Sequence, residues 1–284
     1  MPGAYAYYPG CTQESSAKEY GESTKLVCEE LGIELHEIDG WTCCGASSAH
    51  TTNHLLSVAL PARDLQAAEE MGMPVAVICA MCYSRLKYAS HELNDPKTLA
   101  LVNEVIEKDF QNTTQVLHLL EILDKERIPV RKPLKRLKVV CYYGCILARP
   151  KKVTHFDDEE NPQIMDRLLG KLDAVSIDWG FKTECCGASL TLSRRDLVRD
   201  LSHRVLEAAR RAGADCIVVA CPMCHSNLDM QQAGIAEQHG SKADIPIIYF
   251  TQLVGLSLGL NPGRMMFDRH FVDPQPLLRE KGVI

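Results

Sequence analysis

A pattern of five cysteines occurs twice in this chain of 284 residues. Each copy has a lone cysteine, then two adjacent cysteines followed by Gly-Ala-Ser, and then a Cys-x-x-Cys pair. In both copies 34 residues lie between the adjacent pair and the Cys-x-x-Cys pair. The first copy contains Cys11, Cys43, Cys44, Cys79 and Cys82, and the second contains Cys145, Cys185, Cys186, Cys221 and Cys224. Because spacing and flanking residues both repeat, we interpret the chain as two copies of one metal-binding module.

The composition indicates a chain that works in a reducing compartment. There are 13 cysteines, and an odd number cannot all pair in disulfides. The first ten residues lack the long apolar region of a secretory signal, and no apolar run reaches the roughly 18 residues of a membrane span. We therefore expect a cytoplasmic protein with no direct membrane insertion, in which thiols stay reduced and available to metals.

The charge and the motifs exclude several kinds of partner. The net charge is −6 and aromatic residues make up 6% of the chain, so we expect no nucleic-acid binding. The densest basic segment, residues 131–138, is predicted to be a solvated linker. Neither a G-x-G-x-x-G motif after a strand nor a P-loop occurs, which predicts no flavin or nucleotide on this chain.

Predicted strands and helices alternate along the chain, which is typical of an α/β fold with mainly parallel sheets. Continuous apolar segments at 74–78 and 216–220 predict buried strands, and each stops immediately before a cysteine of the pattern. Because the carboxyl ends of parallel strands share one edge of a sheet, cysteines distant in sequence are expected to converge there. We predict two tandem modules related by a pseudo-two-fold axis, residues 1–134 and 135–284, each a small mainly parallel sheet flanked by helices.

Local signals predict where some helices begin and end. Ser15 or Ser16 is predicted to cap a helix that ends at Gly32. Thr251 is predicted to cap a helix near the end of the second module. The segment from residue 261 onward has no periodicity, and we expect it to contact either the second module or a partner protein.

Five cysteines in each copy are more than a single zinc ion uses. A structural zinc site closes with four ligands, and ordinary iron–sulfur clusters also take four cysteines. Adjacent cysteines point in different directions on a helix or a strand, so it is difficult to aim both at one zinc ion. A multi-iron cluster of unusual shape accommodates two neighbouring thiolates better. Zinc stays as the alternative, because it also prefers soft thiolate ligands.

Two copies of C-x(31–39)-C-C-G-x(33)-C-x-x-C resemble the duplicated CCG domain of the B subunit of heterodisulfide reductase and of its bacterial relatives. The resemblance extends to two further segments, Tyr142-Tyr143-Gly144-Cys145 and Arg149-Pro150. It implies that the five cysteines of each copy ligate one noncubane [4Fe–4S] cluster, with a small disulfide substrate between the two clusters. Methanogen members usually have proline after the first adjacent pair, where this chain has Gly45, so the chain is more similar to a bacterial-type relative.

The resemblance also implies a reaction and partners. The chain is expected to be a CoB-CoM heterodisulfide reductase-like oxidoreductase acting on a sulfur group, in the role of the B subunit. Electrons would come from a ferredoxin-type iron–sulfur protein similar to the C subunit of such a reductase and from a flavoprotein similar to its A subunit. Since a cluster passes one electron and a disulfide takes two, we expect paired one-electron transfers with no catalytic residue beyond the cluster ligands. The alternative is an iron–sulfur electron-transfer subunit of a lactate, glycerol-3-phosphate or succinate dehydrogenase, which passes electrons toward quinone.

Four residues outside the pattern are further candidates. His225 follows Cys224 and is expected either to supply a proton to a leaving thiolate or to donate a hydrogen bond to cluster sulfur. Cys28 and Cys216 lie in apolar patterns and are expected in the core. Cys141 is also expected in the core, with a position beside a cluster as the alternative.

Overall fold

A computed structural model describes residues 3–46 and 48–284 of the chain. It contains two four-stranded sheets in which all neighbouring strands are parallel. The first sheet contains β1 (Ala4–Tyr8), β2 (Glu34–Glu37), β3 (Val75–Val77) and β4 (Val116–His118). The second contains β5 (Lys138–Tyr142), β6 (Val175–Ser176), β7 (Cys216–Val219) and β8 (Ile247–Tyr249). The strand orders, β2-β1-β3-β4 and β6-β5-β7-β8, are equivalent, so the predicted duplicated α/β fold is confirmed.

Helices connect consecutive strands in both halves of the chain. The first half contains α1 (Lys18–Leu31), α2 (Ala49–Thr52), α3 (His54–Met71), α4 (Ala80–Glu92), α5 (Pro96–Ile106) and α6 (Leu119–Lys125). The second contains α7 (Lys151–Thr154), α8 (Ile164–Lys171), α9 (Arg195–Arg211), α10 (Pro222–Asp229), α11 (Gln232–His239), α12 (Phe250–Ser257) and α13 (Gln275–Glu280). In the described part of the chain, no helix has the length and apolar composition that crossing a membrane requires.

We refer to residues up to 134 as the first module and to later residues as the second module, and this boundary stays a prediction. The connecting segment 131–138 is mostly exposed, as a solvated linker should be, while Leu134 and Leu137 anchor it in the core. The N–H of Arg131 donates to the carbonyl of Ser257 (2.9 Å), so the linker also contacts α12.

Each sheet has one central strand that is buried along its whole length. All residues of β3 and β7 are buried, as expected for parallel strands covered on both faces. Cys28 in α1 and Cys216 in β7 belong to the core, as predicted. Cys141 in β5 is fully buried with its Sγ 3.6 Å from Ser176 Oγ, so the structure favours the core position over a place beside a cluster.

Helix α1 ends as predicted but begins later than predicted. It ends at Gly32, whose φ of 71° lies in the left-handed region that favours glycine. The predicted caps Ser15 and Ser16 are wrong, because α1 begins only at Lys18 and no side chain caps it. The Ser15 hydroxyl instead donates to the carbonyl of Cys11 (3.0 Å), within the turn that follows β1.

Helix α12 also begins with a different cap from the one predicted. The N–H of Tyr249 donates to Gln252 Oε1 (3.0 Å), so a side chain from within the helix accepts a backbone N–H at the N-terminus of that helix. Thr251 is therefore wrong as the cap. Its Oγ1 lies 2.7 Å from Ser23 Oγ of α1, where the two hydroxyls form a buried hydrogen bond between the modules.

The segment from residue 261 onward contacts both modules. Arg269 Nε donates to Glu19 Oε2 of α1 (3.0 Å), and Arg264 Nη2 donates to Glu22 Oε1 of the same helix (3.0 Å). Glu19 is buried, whereas the pair of Arg264 and Glu22 is exposed. The prediction named the second module or a partner and missed these contacts with the first module.

Candidate metal centre

Cysteines of the pattern lie where strands end and helices begin. Cys11 follows β1, while Cys79 follows β3 and is the N-cap of α4, which places Cys82 in the first turn of that helix. The equivalent residues of the second module occupy the same positions after β5, after β7 and in the first turn of α10: Cys145, Cys221 and Cys224. Both modules thus present three cysteines at the same edge of their sheet.

A tyrosine at the end of a strand holds the adjacent cysteine pair over this edge. In the first module, the Tyr8 hydroxyl donates to the carbonyl of Thr42 (2.6 Å), which precedes the pair. In the second module, the Tyr142 hydroxyl donates to the equivalent carbonyl of Glu184 (2.7 Å). Asp64 Oδ1 also accepts the N–H of Thr42 (2.8 Å), so the first pair has a second anchor.

In each module the adjacent pair meets the Cys-x-x-Cys pair. The Sγ atoms of Cys44 and Cys82 are 3.5 Å apart, and those of Cys186 and Cys224 are 3.6 Å apart. Residues separated by 38 positions in the chain therefore bring their sulfur atoms into contact, and they do so in the same way twice.

Two glycines allow the backbone to pass close to these sulfur atoms. Gly10 and Gly144 precede the lone cysteines, and both have a φ of 73°. A Cβ atom on Gly10 would lie 3.1 Å from Cys82 Sγ, and one on Gly144 would lie 3.0 Å from Cys224 Sγ. The backbone conformation and the available space both require glycine at this point of each module.

Hydrogen bonds among the thiols shift their pKa values in opposite directions. The pKa of Cys44 is lowered to about 4, because Cys43 and Cys82 donate to its sulfur. A hydrogen bond from Cys145 lowers the pKa of Cys185 to about 6, while the pKa values of the donors Cys43 and Cys145 are raised. Since the thiolate is the form that binds metals, each module has a thiol that readily adopts the ligand form.

The two Cys-x-x-Cys pairs also contact each other between the modules. A hydrogen bond with Cys221 raises the pKa of Cys79, whereas hydrogen bonds from Cys224 and from Cys79 lower the pKa of Cys221 well below its usual value. The two sulfur groups therefore meet where the modules meet.

Two cavities lie side by side at this junction. The first-module cavity has a volume of about 140 Å³ and is lined by all five pattern cysteines of the first module and by Met223 of the second. The second-module cavity, of about 200 Å³, is lined by all five cysteines of the second module and by His50 and Arg85 of the first. Ala46, Met81 and Ala188 line both cavities. Each cavity is therefore completed by the other module.

The residues around the cavities fit iron–sulfur clusters. Five soft sulfur donors surround each cavity, and Gly10 and Gly144 keep side-chain atoms away from them. Among the described residues no carboxylate lines either cavity, so the donor set does not suit a hard cation such as Mg²⁺ or Ca²⁺. The chemistry of the lining favours metals that bind thiolates.

His225 lies outside the linings of both cavities. Its Nε2 lies 3.1 Å from the carbonyl oxygen of Ile247 and 3.2 Å from His270 Nδ1, and its ring stacks on Tyr249 with centroids 4.3 Å apart. Burial, and then the neighbouring His270, lower its pKa well below the usual value. A neutral buried histidine outside both cavity linings is poorly suited to protonate a leaving thiolate.

The surroundings of His225 fix the C-terminal segment. His225, Asp229 and His270 place possible ligand atoms within 4.8 Å of one another. However, the two carboxylate oxygens of Asp229 already accept the N–H groups of Phe271 (2.7 Å) and Val272 (3.0 Å). These hydrogen bonds explain the burial of the carboxylate without a metal ion.

Sequence reasoning missed Arg85 as a residue of the site, and the spacing of His50 did not distinguish a site residue from a surface residue. Both come from the first module and line the second-module cavity. Arg85 follows Met81 by four residues in α4, so both lie on one helix face. This spacing could have indicated that Arg85 lies near Met81. It could not indicate which cavity the two residues line, because that depends on how the modules pack.

Comparisons with known proteins cover nearly the whole chain. The family model of the cysteine-rich domain CCG matches residues 5–87 and 139–229. The 8-methylmenaquinol:fumarate reductase membrane anchor subunit of Wolinella succinogenes is 31% identical over 98% of this chain and 100% of its own length. The B subunit of the ferredoxin/F(420)H(2)-dependent CoB-CoM heterodisulfide reductase of Methanosarcina acetivorans is 31% identical over 93% of this chain and 92% of its own.

One solved structure is similar throughout. The crystal structure of a hypothetical protein from Helicobacter pylori matches with a TM-score of 0.80 and 14% identity, over 96% of this chain and 52% of that chain. At this identity the match supports the fold alone. The two segments matched by the family model include all ten cysteines of the pattern. The chain therefore belongs to the cysteine-rich CCG domain family, carries two copies of that domain, and is a homologue of proteins named as the B subunit of heterodisulfide reductase.

Proposed function

We propose that this chain is the catalytic subunit of a heterodisulfide reductase-like complex, which reduces or reversibly forms a small disulfide in the cytoplasm. The five cysteines of each module would hold one noncubane [4Fe–4S] cluster. Two such clusters, each passing one electron, would supply the two electrons with which a disulfide and two protons give two thiols. Two partner proteins would deliver the electrons, an iron–sulfur protein of the ferredoxin type, similar to the C subunit of such a complex, and a flavoprotein similar to its A subunit.

The observation that carries this proposal is the pair of neighbouring cavities. Each is lined by five cysteines of one module, and Ala46, Met81 and Ala188 are common to both. A disulfide has two sulfur atoms about 2 Å apart, so both electron sources have to reach one small ligand. Two sulfur-lined cavities with shared walls provide such an arrangement, whereas two sites in separate cores would not.

The proposal is tested on protein purified without oxygen. We expect about eight irons per chain and reduction of 2-hydroxyethyl disulfide by reduced methyl viologen. Cys82→Ser should remove about half of the iron and abolish the reduction, because its sulfur contacts Cys44. Cys28→Ala is the control, since this core cysteine is outside both cavities and should keep iron and activity.

Two results would contradict the proposal. Zinc with little iron in the purified protein would favour the zinc alternative. Full iron content and activity in Cys82→Ser would show that the cysteine pattern does not hold the clusters.

A second candidate function is electron transfer toward or from a quinone in a respiratory enzyme. The similarity to the membrane anchor subunit of the Wolinella succinogenes fumarate reductase favours it. In that case, a quinol such as menadiol should reduce the iron–sulfur centres of the purified chain, while disulfides should not be consumed. Disulfide turnover without any reduction by quinols would exclude this candidate.

A further inference from the structure

Among the residues that the structure describes, none forms an ion pair or a hydrogen bond with Arg85, a cation at the junction of the modules. Its Nε atom is buried and has no hydrogen-bond partner among the described residues. Its guanidinium carbon lies 5.7 Å from the ring centroid of Tyr88, a contact that stabilises the cation without using its N–H donors. Because a desolvated N–H donor such as Nε costs free energy until an acceptor pairs with it, the site favours an acceptor that a cation also attracts, which is an anion.

Arg85 belongs to the first module but lines the cavity of the second. It lies in α4 of the first module, yet it lines the second-module cavity beside Cys186 and Cys224. His50 and Ser189 are further hydrogen-bonding side chains in the lining of the same cavity, which is otherwise mostly apolar apart from the cysteines. A few polar groups on an apolar wall are the usual means by which a cavity orients a small ligand.

The equivalent residue of the second module has a different role. Arg85 is the third residue after Cys82, and Asn227 is the third residue after Cys224. Asn227 Nδ2 donates to the carbonyl oxygen of Cys186 (3.1 Å), so this amide supports the adjacent cysteine pair. In the part of the chain that the structure describes, no charged side chain lines the first-module cavity. Both cavities are thus lined by five cysteines, but of the two only the second-module cavity has a described arginine in its lining.

We propose that Arg85 binds an oxyanion, such as a carboxylate, on one arm of the disulfide substrate and directs that arm to the second-module cavity. This inference rests on the proposed function, because it assigns specificity within the same site. A guanidinium matches a carboxylate with two parallel hydrogen bonds, which fixes orientation as well as charge. The substrate class is an unsymmetrical disulfide with one anionic arm and one uncharged arm.

The test compares disulfides of similar size that differ in charge. Isothermal titration calorimetry of the iron-loaded full chain would use 3,3′-dithiodipropionate, 2-hydroxyethyl disulfide and the mixed disulfide of 3-mercaptopropionate with 2-mercaptoethanol. We expect the mixed disulfide to bind about 10- to 100-fold more tightly than the neutral one, and the second carboxylate of the dianion to add less than about threefold.

Variants assign this preference to Arg85. Arg85→Gln should reduce it to less than about threefold, and Arg85→Lys should retain part of it because the charge remains while the paired geometry is lost. Arg204→Gln is the matched control, an exposed arginine of helix α9 outside both cavities, and should leave the preference unchanged. An unchanged preference in Arg85→Gln would overturn the inference.

A role toward the cluster alone would give a different result. If Arg85 only neutralised negative charge on a cluster, Arg85→Gln would shift the midpoint potential and change binding of all three disulfides equally, which would also overturn the inference. Failure of the proposed function is seen separately. If the chain shows an Arg85-dependent binding preference but reduces no disulfide, the proposed reductase function is contradicted and the anion site at Arg85 is supported. If the chain reduces disulfides but shows no such preference, the anion site is contradicted and the proposed function is supported.

Discussion

At the scale of single residues, glycines are as important to the site as cysteines. Gly10 and Gly144 combine a positive φ with a sulfur atom about 3 Å from where a side chain would begin. At each of these positions a side chain is therefore excluded by the sulfur atom of the site as well as by the backbone conformation of the turn. Many other glycines of this chain also have positive φ, but several of them face open space.

This difference gives a prediction for Gly144→Ala. Both the left-handed backbone and the contact with Cys224 Sγ disfavour a methyl group there, so the sulfur has to move. We expect the variant to lose about half of the bound iron, measured by colorimetric assay of anaerobically purified protein. Gly213→Ala is the control, because Gly213 has a similar φ of 76° but no atom within 4 Å of its Cβ position. Equal iron loss in both variants would mean that backbone strain alone is responsible.

At the scale of elements, aromatic rings of the two modules meet beside each Cys-x-x-Cys helix. Tyr83 of α4 lies 6.0 Å from Phe156 of the second module, measured between ring centroids. Beside His225 of α10, Tyr249 stacks on Tyr20 of α1 with centroids 4.1 Å apart. Helix α4, which carries Cys82, therefore also contacts the second module, and the packing of α1 against α12 continues the contact between the modules.

The hydrogen bond between Ser23 in α1 and Thr251 in α12 tests this packing. Ser23→Ala should lower the free energy of unfolding by about 1–2 kcal/mol, because the buried Thr251 hydroxyl loses its hydrogen-bond partner. Adding Thr251→Val to Ser23→Ala should recover part of this loss, since no unpaired hydroxyl remains. Anaerobic urea denaturation of both single variants and the double variant measures the coupling. Strictly additive losses would show that the hydroxyls do not interact.

The elements were more predictable from the sequence than the contacts between them. The apolar segments before Cys79 and Cys221 predicted buried strands, because a strand covered on both faces has no polar side to show. The meeting of the cysteines at one edge followed from parallel topology. The cap at Ser15 failed because the chain makes an extra turn after β1 before α1 begins. Arg85 was missed because its position depends on packing between modules, which periodicity within one helix does not contain.

At the scale of the whole molecule, the C-terminal segment ties the modules together. It is held to the second module through Asp229 and to α1 through Arg269 and Arg264. The two arginines reach the same helix but meet carboxylates in different surroundings. The side chain of Glu19 is 2% exposed, and that of Glu22 is 40% exposed. Only the buried pair should contribute strongly to stability.

We therefore predict unequal effects for two similar variants. Arg269→Gln should reduce the free energy of unfolding by about 1–3 kcal/mol at pH 8, because Glu19 remains buried without its partner. Burial raises the pKa of Glu19 and Arg269 opposes this, so removal of the arginine raises that pKa further. Folding then favours the protonated carboxyl, and the loss should shrink as the pH falls toward 5. Arg264→Gln should change the free energy by less than about 0.5 kcal/mol. Similar losses in both variants, or no dependence on pH, would contradict this account.

The uneven burial of the ten pattern cysteines has a consequence for handling the protein. Cys11, Cys43 and Cys185 are exposed, whereas the four cysteines of the two Cys-x-x-Cys pairs are buried. Dissolved oxygen and peroxide can reach the outer sulfurs of the folded chain without any opening of its structure, and accessible thiolates oxidise first. Oxidative damage in air should thus begin at the exposed sulfurs and reach the buried ones later, and a protein that covers the exposed sulfurs would protect them.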